Sequence, residues 1–111
     1  MRSYRIDDLL PEQVERFADH MRNRNLAGSL DGLFWLEVPD DLLANEQKEH
    51  KDKCGPYSLS VETGEDWVQM ELLVRARSIL RCSCVAYATP AQREPLIDML
   101  DTIFKELDIP V

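Results

Sequence analysis

Apolar residues recur at a helical period near both ends of the chain and at a period of two in the middle of its second half, and the change of period sets out the elements. Val14, Phe17, Ala18 and Met21 define one stripe behind Leu10-Pro11-Glu12-Gln13. Proline there suits the first helical position, and an acid suits the positive end of the helix dipole. Asn25 to Gly32, with two glycines, ends that helix and turns the chain. His20 lies on the flank of the stripe, as a half-exposed surface histidine. Gly32 to Val38 is a short apolar run closed by Pro39 and reads as a strand that flanks either edge of the sheet. Asp40 and Asp41 then start a second, strongly charged helix over 40–53, whose thin inner face is Leu42, Leu43, Gln47 and His50.

Strict alternation follows. Tyr57, Leu59 and Val61 alternate with polar residues, and Val68, Met70, Leu72 and Val74 alternate with Gln69, Glu71, Leu73 and Arg75. Glycine leads the bend at Gly64-Glu65, which suits a two-residue type II′ turn. That turn sets Thr63 against Asp66, Val61 against Val68 and Leu59 against Met70. A slip of one residue destroys the match of apolar faces. The next hairpin, with a three-residue loop at 77–79, pairs Val74 with Cys82 and Leu72 with Cys84 in a strand over 80–88. Cys82, Cys84, Ala86 and Ala88 become a row of small core residues that a helix can approach closely. That helix starts at Thr89-Pro90-Ala91-Gln92, a capping box, and carries Leu96, Met99, Leu100, Ile103, Phe104 and Leu107 on one wide stripe, with Pro95 in its second turn. The expected fold is one α+β domain over residues 1–111. It is a two-layer sandwich in the order α-β-α-β-β-β-α, with helices on one face of a mainly antiparallel sheet of about four strands.

Charge narrows the partners. The formal net charge is −8 over 111 residues, and each half, divided at Gly55, carries −4. An acidic surface repels phosphate backbones, so neither nucleic acid nor an anionic membrane is an expected partner. No apolar run reaches signal-peptide or bilayer-spanning length, and three cysteines is an odd number, which fits reduced thiols in the cytoplasm.

The candidate chemistry is confined to His50 and Cys54, four apart, and Cys82 and Cys84, two apart. As ligands they make a Cys3His set, a zinc complement with iron as the other candidate. Each pair is sound alone, since residues four apart share a helix face and residues two apart share a strand face. In the registers above, however, Gly55 falls opposite Val74 and a whole strand separates Cys54 from Cys82, about 10 Å from two strand spacings. The expectation is therefore buried structural thiols, with a metal site as the alternative. A thiol enzyme, with His50 lowering the pKa of Cys54 and Glu46 orienting the ring, is the third reading. No serine elbow, phosphate-cradling glycine loop or HExxH motif supports catalysis.

The sheet face left bare by the helices shows Trp67, Leu73, Val85 and Tyr87, more apolar than solubility requires. Arg75 and Arg81 are expected opposite one another there, with Arg77 in the adjoining turn, a cluster able to take a carboxylate or phosphate. The leading expectation is a non-enzymatic module that binds another protein or a second copy of itself, as a homodimer, through this face.

Overall fold

The computed structural model describes residues 1–78 and 82–111. The chain forms β1 (Ser3–Ile6), α1 (Pro11–Asn23), β2 (Leu33–Glu37), a 3-10 turn (Asp40–Leu42), α2 (Asn45–Cys54), β3 (Tyr57–Thr63), β4 (Val68–Glu71), β5 (Leu73–Ala76), β6 (Ala86–Tyr87) and α3 (Pro90–Glu106). This is the α+β fold read from the sequence, with its expected element order, but the antiparallel sheet has six strands rather than about four.

Six strands occupy four ranks. β2 pairs with one edge of β3, which settles where the apolar strand lies; β4 and β5 follow one another along the other edge. β1 pairs with β4 and β6 with β5, so these two form the last rank together. β1 escaped the sequence reading because only Tyr4 and Ile6 signal its alternation. The interruption between β4 and β5 falls at Leu72, whose backbone turns outward to both neighbours. Its N–H donates to the Arg2 carbonyl and its carbonyl accepts from Ala88.

The hairpin register differs from the one expected. Val61 faces Met70 and Thr63 faces Val68, two residues from the Val61–Val68 pairing. The bend is the longer segment Gly64–Trp67, closed by the Gly64 N–H on the Trp67 carbonyl. The ring of Trp67 lies where a Cβ on residue 64 would sit, 2.1 Å away, so glycine is required by the close approach of the ring. Two further residues are inserted where β4 passes to β5, and Tyr57 consequently faces Ala76. Both offsets are even, so every inward-facing residue keeps its side: Leu59, Val61, Val68, Met70, Leu72 and Val74 are all fully buried.

One contiguous core runs from Ile6 to Ile109 and joins the sheet to α1 and α3. Phe17 of α1 lies parallel to Phe104 of α3, centroids 4.9 Å apart, and meets Phe34 of β2 edge-on at 6.3 Å. The expected stripe of α1 is buried in full. Asn25, just past the C-cap Arg24, takes the left-handed conformation that asparagine tolerates. α3 carries the expected capping box, with Gln92 N–H on Thr89 Oγ1 and Thr89 N–H on Gln92 Oε1, and continues through Pro95. No helix among the described residues is long and apolar enough to cross a membrane.

Tyr4 pins β1 to α3 by donating its hydroxyl to Asp101 at 2.7 Å. Burial, reinforced by the Asp101 carboxylate and then by Asp98, pushes this phenol up to about 12. The folded protein therefore holds the neutral phenol more tightly than the unfolded chain does. That contribution is complete below pH 10, the ordinary phenol value, and is lost as pH climbs through about 12. Ultraviolet titration of phenolate should show one tyrosine ionising near pH 12 that disappears in Tyr4→Phe; an unchanged titration curve would remove the assignment.

Candidate metal centre

The second helix begins later than its aspartates suggested. Leu43 is extended and buried, which ends the 3-10 turn and resets the chain before α2. The backbone N–H of Ala44 then donates to Gln47 Oε1 at 2.9 Å, a cap supplied by the side chain three residues on. With this start, Gln47 and Cys54 are buried and His50 half-buried, all toward the rest of the protein.

Beyond Ala76 the chain leaves the sheet, where a continued hairpin was expected. Arg77 N–H donates to the Pro56 carbonyl, Ser78 N–H to the Cys54 carbonyl, and Ser78 Oγ to the Gly55 carbonyl. Ser78, rather than Val74, therefore lies beside Gly55, the sum of the two offsets in register. Residues 79–81 of the expected loop and strand lie outside the described residues; over 82–88 the strand is β6 alone, and Cys82 and Cys84 lie in the turn before it, without Val74 or Leu72 as partners. Val85 N–H closes that turn on the Cys82 carbonyl at 3.1 Å. The strand expected to separate Cys54 from Cys82 ends at Ala76, short of Cys54, so it does not come between them.

The ligand turn instead folds over the C-terminal end of α2. His50, Cys54, Cys82 and Cys84 each contribute a donor atom, and all four atoms lie within 4.8 Å of one another. His50 Nδ1 is 3.2 Å from Cys82 Sγ, and the Cys84 N–H reaches the same sulfur at 3.5 Å. His50 thus meets Cys82, not Cys54 as the thiol-enzyme reading required. Cys54 and Cys84 are buried, Cys82 partly so, and all three are free thiols. Ser83 donates to Glu46, which fastens the middle of the turn to α2. Gly55 allows the close passage of the chain here: a Cβ would stand 2.7 Å from the Lys51 carbonyl.

Protons are unevenly held across the cluster. Burial pushes the Cys54 thiol up to about 12, and the adjoining Cys82 and Cys84 add to the rise. Burial likewise raises Cys84. Cys82 moves down to about 7, because the Cys84 side chain and backbone N–H, then Cys54 and His50, hydrogen-bond its thiolate. Tyr57, against Cys84, is raised chiefly by burial.

Behind the cluster stands a chain of amide groups that sequence reading missed. Gln92 Nε2 donates to Gln47 Oε1 at 3.0 Å and to the Leu42 carbonyl at 2.8 Å, while Gln47 Nε2 donates to the Cys84 carbonyl at 3.2 Å. Tyr57 donates its hydroxyl to the Gln47 carbonyl at 2.9 Å. The N-terminus of α3, α2, β3 and the ligand turn are joined in this way, with both amides satisfied at both ends. Gln92 was legible only as a cap; a glutamine at that position serves the cap and the buried network together.

The expected interface residues lie elsewhere, on the outer sheet face. Trp67, Leu73, Arg75 and Val85 are half-buried there, Arg77 and Tyr87 exposed, and Arg81 lies outside the described residues. Val74 faces Ala86, so the expected opposition of Arg75 and Arg81 does not follow from the register. Three aromatic faces on this side carry an arginine: Arg2 on Tyr87 at 4.6 Å, Arg5 on Trp67 at 4.3 Å and Arg77 on Trp35 at 4.4 Å. Comparison with known proteins adds no likeness: no family model, no curated protein and no solved structure matches the chain.

Proposed function

We propose that this is a metal-binding protein in which His50, Cys54, Cys82 and Cys84 hold one zinc ion. The observation that carries the reading is the convergence of four soft donors from two separate segments within 4.8 Å. Tetrahedral zinc, with bonds of about 2.0–2.3 Å, needs donors about 3.3–3.8 Å apart, so a small contraction closes the site. Four protein donors leave no open position, which makes the ion structural: it fastens the ligand turn to α2. Three sulfurs and one nitrogen favour zinc, with iron the other candidate, and the free thiols suit a reducing cytoplasm.

Self-association through the outer sheet face is the second reading, favoured by the exposed Tyr87 beside the half-buried Leu73 and Val85. The stacked arginines already cover much of the aromatic surface, which is why the metal reading comes first. Native mass spectrometry of protein purified without chelator addresses both. One zinc per chain is expected, whatever the number of chains per particle. A metal-free mass after zinc addition would refute the site, and a monomer at high concentration would remove the homodimer.

A further inference from the structure

Next to the ligand turn, on the outer sheet face, is a hollow of about 160 Å3 lined by Trp35, Arg75, Ala76, Arg77 and Val85. Its chemistry differs from the rest of this acidic protein. Arg75 bonds Glu71 through one terminal nitrogen at 2.8 Å, and its buried Nε has no hydrogen-bond partner among the described residues. That Nε is enclosed, so a ligand entering the hollow meets the terminal N–H groups of the Arg75 guanidinium rather than Nε. Arg77 makes no ion pair among the described residues. Its stacking on Trp35 fixes the plane of the guanidinium and leaves the N–H edge for a ligand. Glu37 lies beyond Trp35 and Arg77, in a separate hollow.

We propose that this hollow binds a monocarboxylate bearing a short apolar group, its oxygens on Arg75 and Arg77 and its tail against Trp35 and Val85. The space holds about five groups the size of a water, which suits a carboxylate with a small branched tail. A phosphate fits the surroundings less well. It brings extra oxygens that the apolar walls cannot satisfy and a second negative charge to a protein of net charge −8. The carboxylate belongs to a free small acid or to the C-terminus of a peptide, and both present the same group.

The test uses the full chain with Trp67→Phe, which leaves Trp35 as its one tryptophan, since the sequence has two. Isobutyrate, N-acetylvaline, isobutyramide and inorganic phosphate are each titrated at low salt while Trp35 fluorescence is followed. A saturable change with isobutyrate, and none with isobutyramide or phosphate, is expected. Tighter binding of N-acetylvaline assigns the site to a peptide C-terminus, and equal or weaker binding assigns it to a free acid. Arg77→Gln and Arg75→Gln should each move the midpoint by about tenfold or more, the effect of removing one charged hydrogen-bonding partner. No saturation with isobutyrate, equal response to its amide, or an unmoved midpoint in Arg77→Gln, at an exposed position that folding tolerates, would overturn the proposal. No thiol takes part, so this outcome and the metal content stand or fall separately.

Discussion

Removal of the proposed zinc ion by a chelator is expected to lower the melting temperature by about 15 °C or more. A ligand bound only by the folded state stabilises it by about 4 kcal/mol when present at a thousand times its dissociation constant. In a domain of this size each kcal/mol is worth about 4 °C. The loss should begin locally. α2 has ten residues, mostly charged, and isolated helices shorter than about 12–15 residues are marginal in water. Its anchors are Gln47 and Cys54, the two buried residues it offers. Without the ion, the described residues hold the ligand turn to it through the amide chain at Gln47, the Ser83–Glu46 bond and the His50–Cys82 contact. Hydrogen exchange of the metal-free protein should therefore expose the α2 amides well before those of β3 and β4. Cys84→Ser supplies the control: it should melt near the chelated wild type and no longer respond to zinc or chelator. A melting temperature indifferent to both reagents in the wild type would count against a structural ion. Acid should release the ion as chelation does, because the raised thiols of Cys54 and Cys84 regain their protons most readily.

The inward and outward sides of the sheet were legible in the sequence, and the distance between the two ligand pairs was not. Alternation specifies a face, and a face survives any even slip. Val61 and Met70 are both buried whether the partner of Val61 is Val68 or Met70, so apolar matching cannot choose between those registers. The glycine at position 64 suits a two-residue turn in the sequence, whereas it makes room for the Trp67 ring in a longer one. The two residues inserted around Leu72 leave no local mark, because the hydrogen bonds that hold them come from Arg2 and Ala88, far along the chain. Together these moved Gly55 from Val74 to Ser78 and freed the segment beyond β5 to carry Cys82 and Cys84 to His50. The capping boxes and helical stripes, by contrast, depend on neighbours three and four residues away. Short-range patterns of that kind are written wholly in the local sequence, and α1 and α3 follow them closely.

The largest effect of any single core truncation is expected at Phe17. Its side chain is fully buried at the point where α1, α3 and the sheet meet, stacked on Phe104 and edge-on to Phe34. Phe17→Ala should destabilise the protein by about 3–5 kcal/mol, from lost transfer free energy and the cavity left behind. Ordinary domains hold about 5–15 kcal/mol in total, so the variant should stand near the limit of folding. Its denaturant midpoint should fall sharply at an unchanged slope. Phe17→Leu should recover part of the loss, since it refills most of the volume and forfeits the ring contacts, worth about 0.5–1.5 kcal/mol per aromatic pair. None of the aromatic partners of Phe17 belongs to α2 or to the ligand turn. Phe17→Leu should consequently keep one zinc per chain while losing stability, and Cys84→Ser should lose the zinc with the aromatic core intact. A Phe17→Ala variant within about 1 kcal/mol of wild type would show that the three elements do not depend on this ring for their junction.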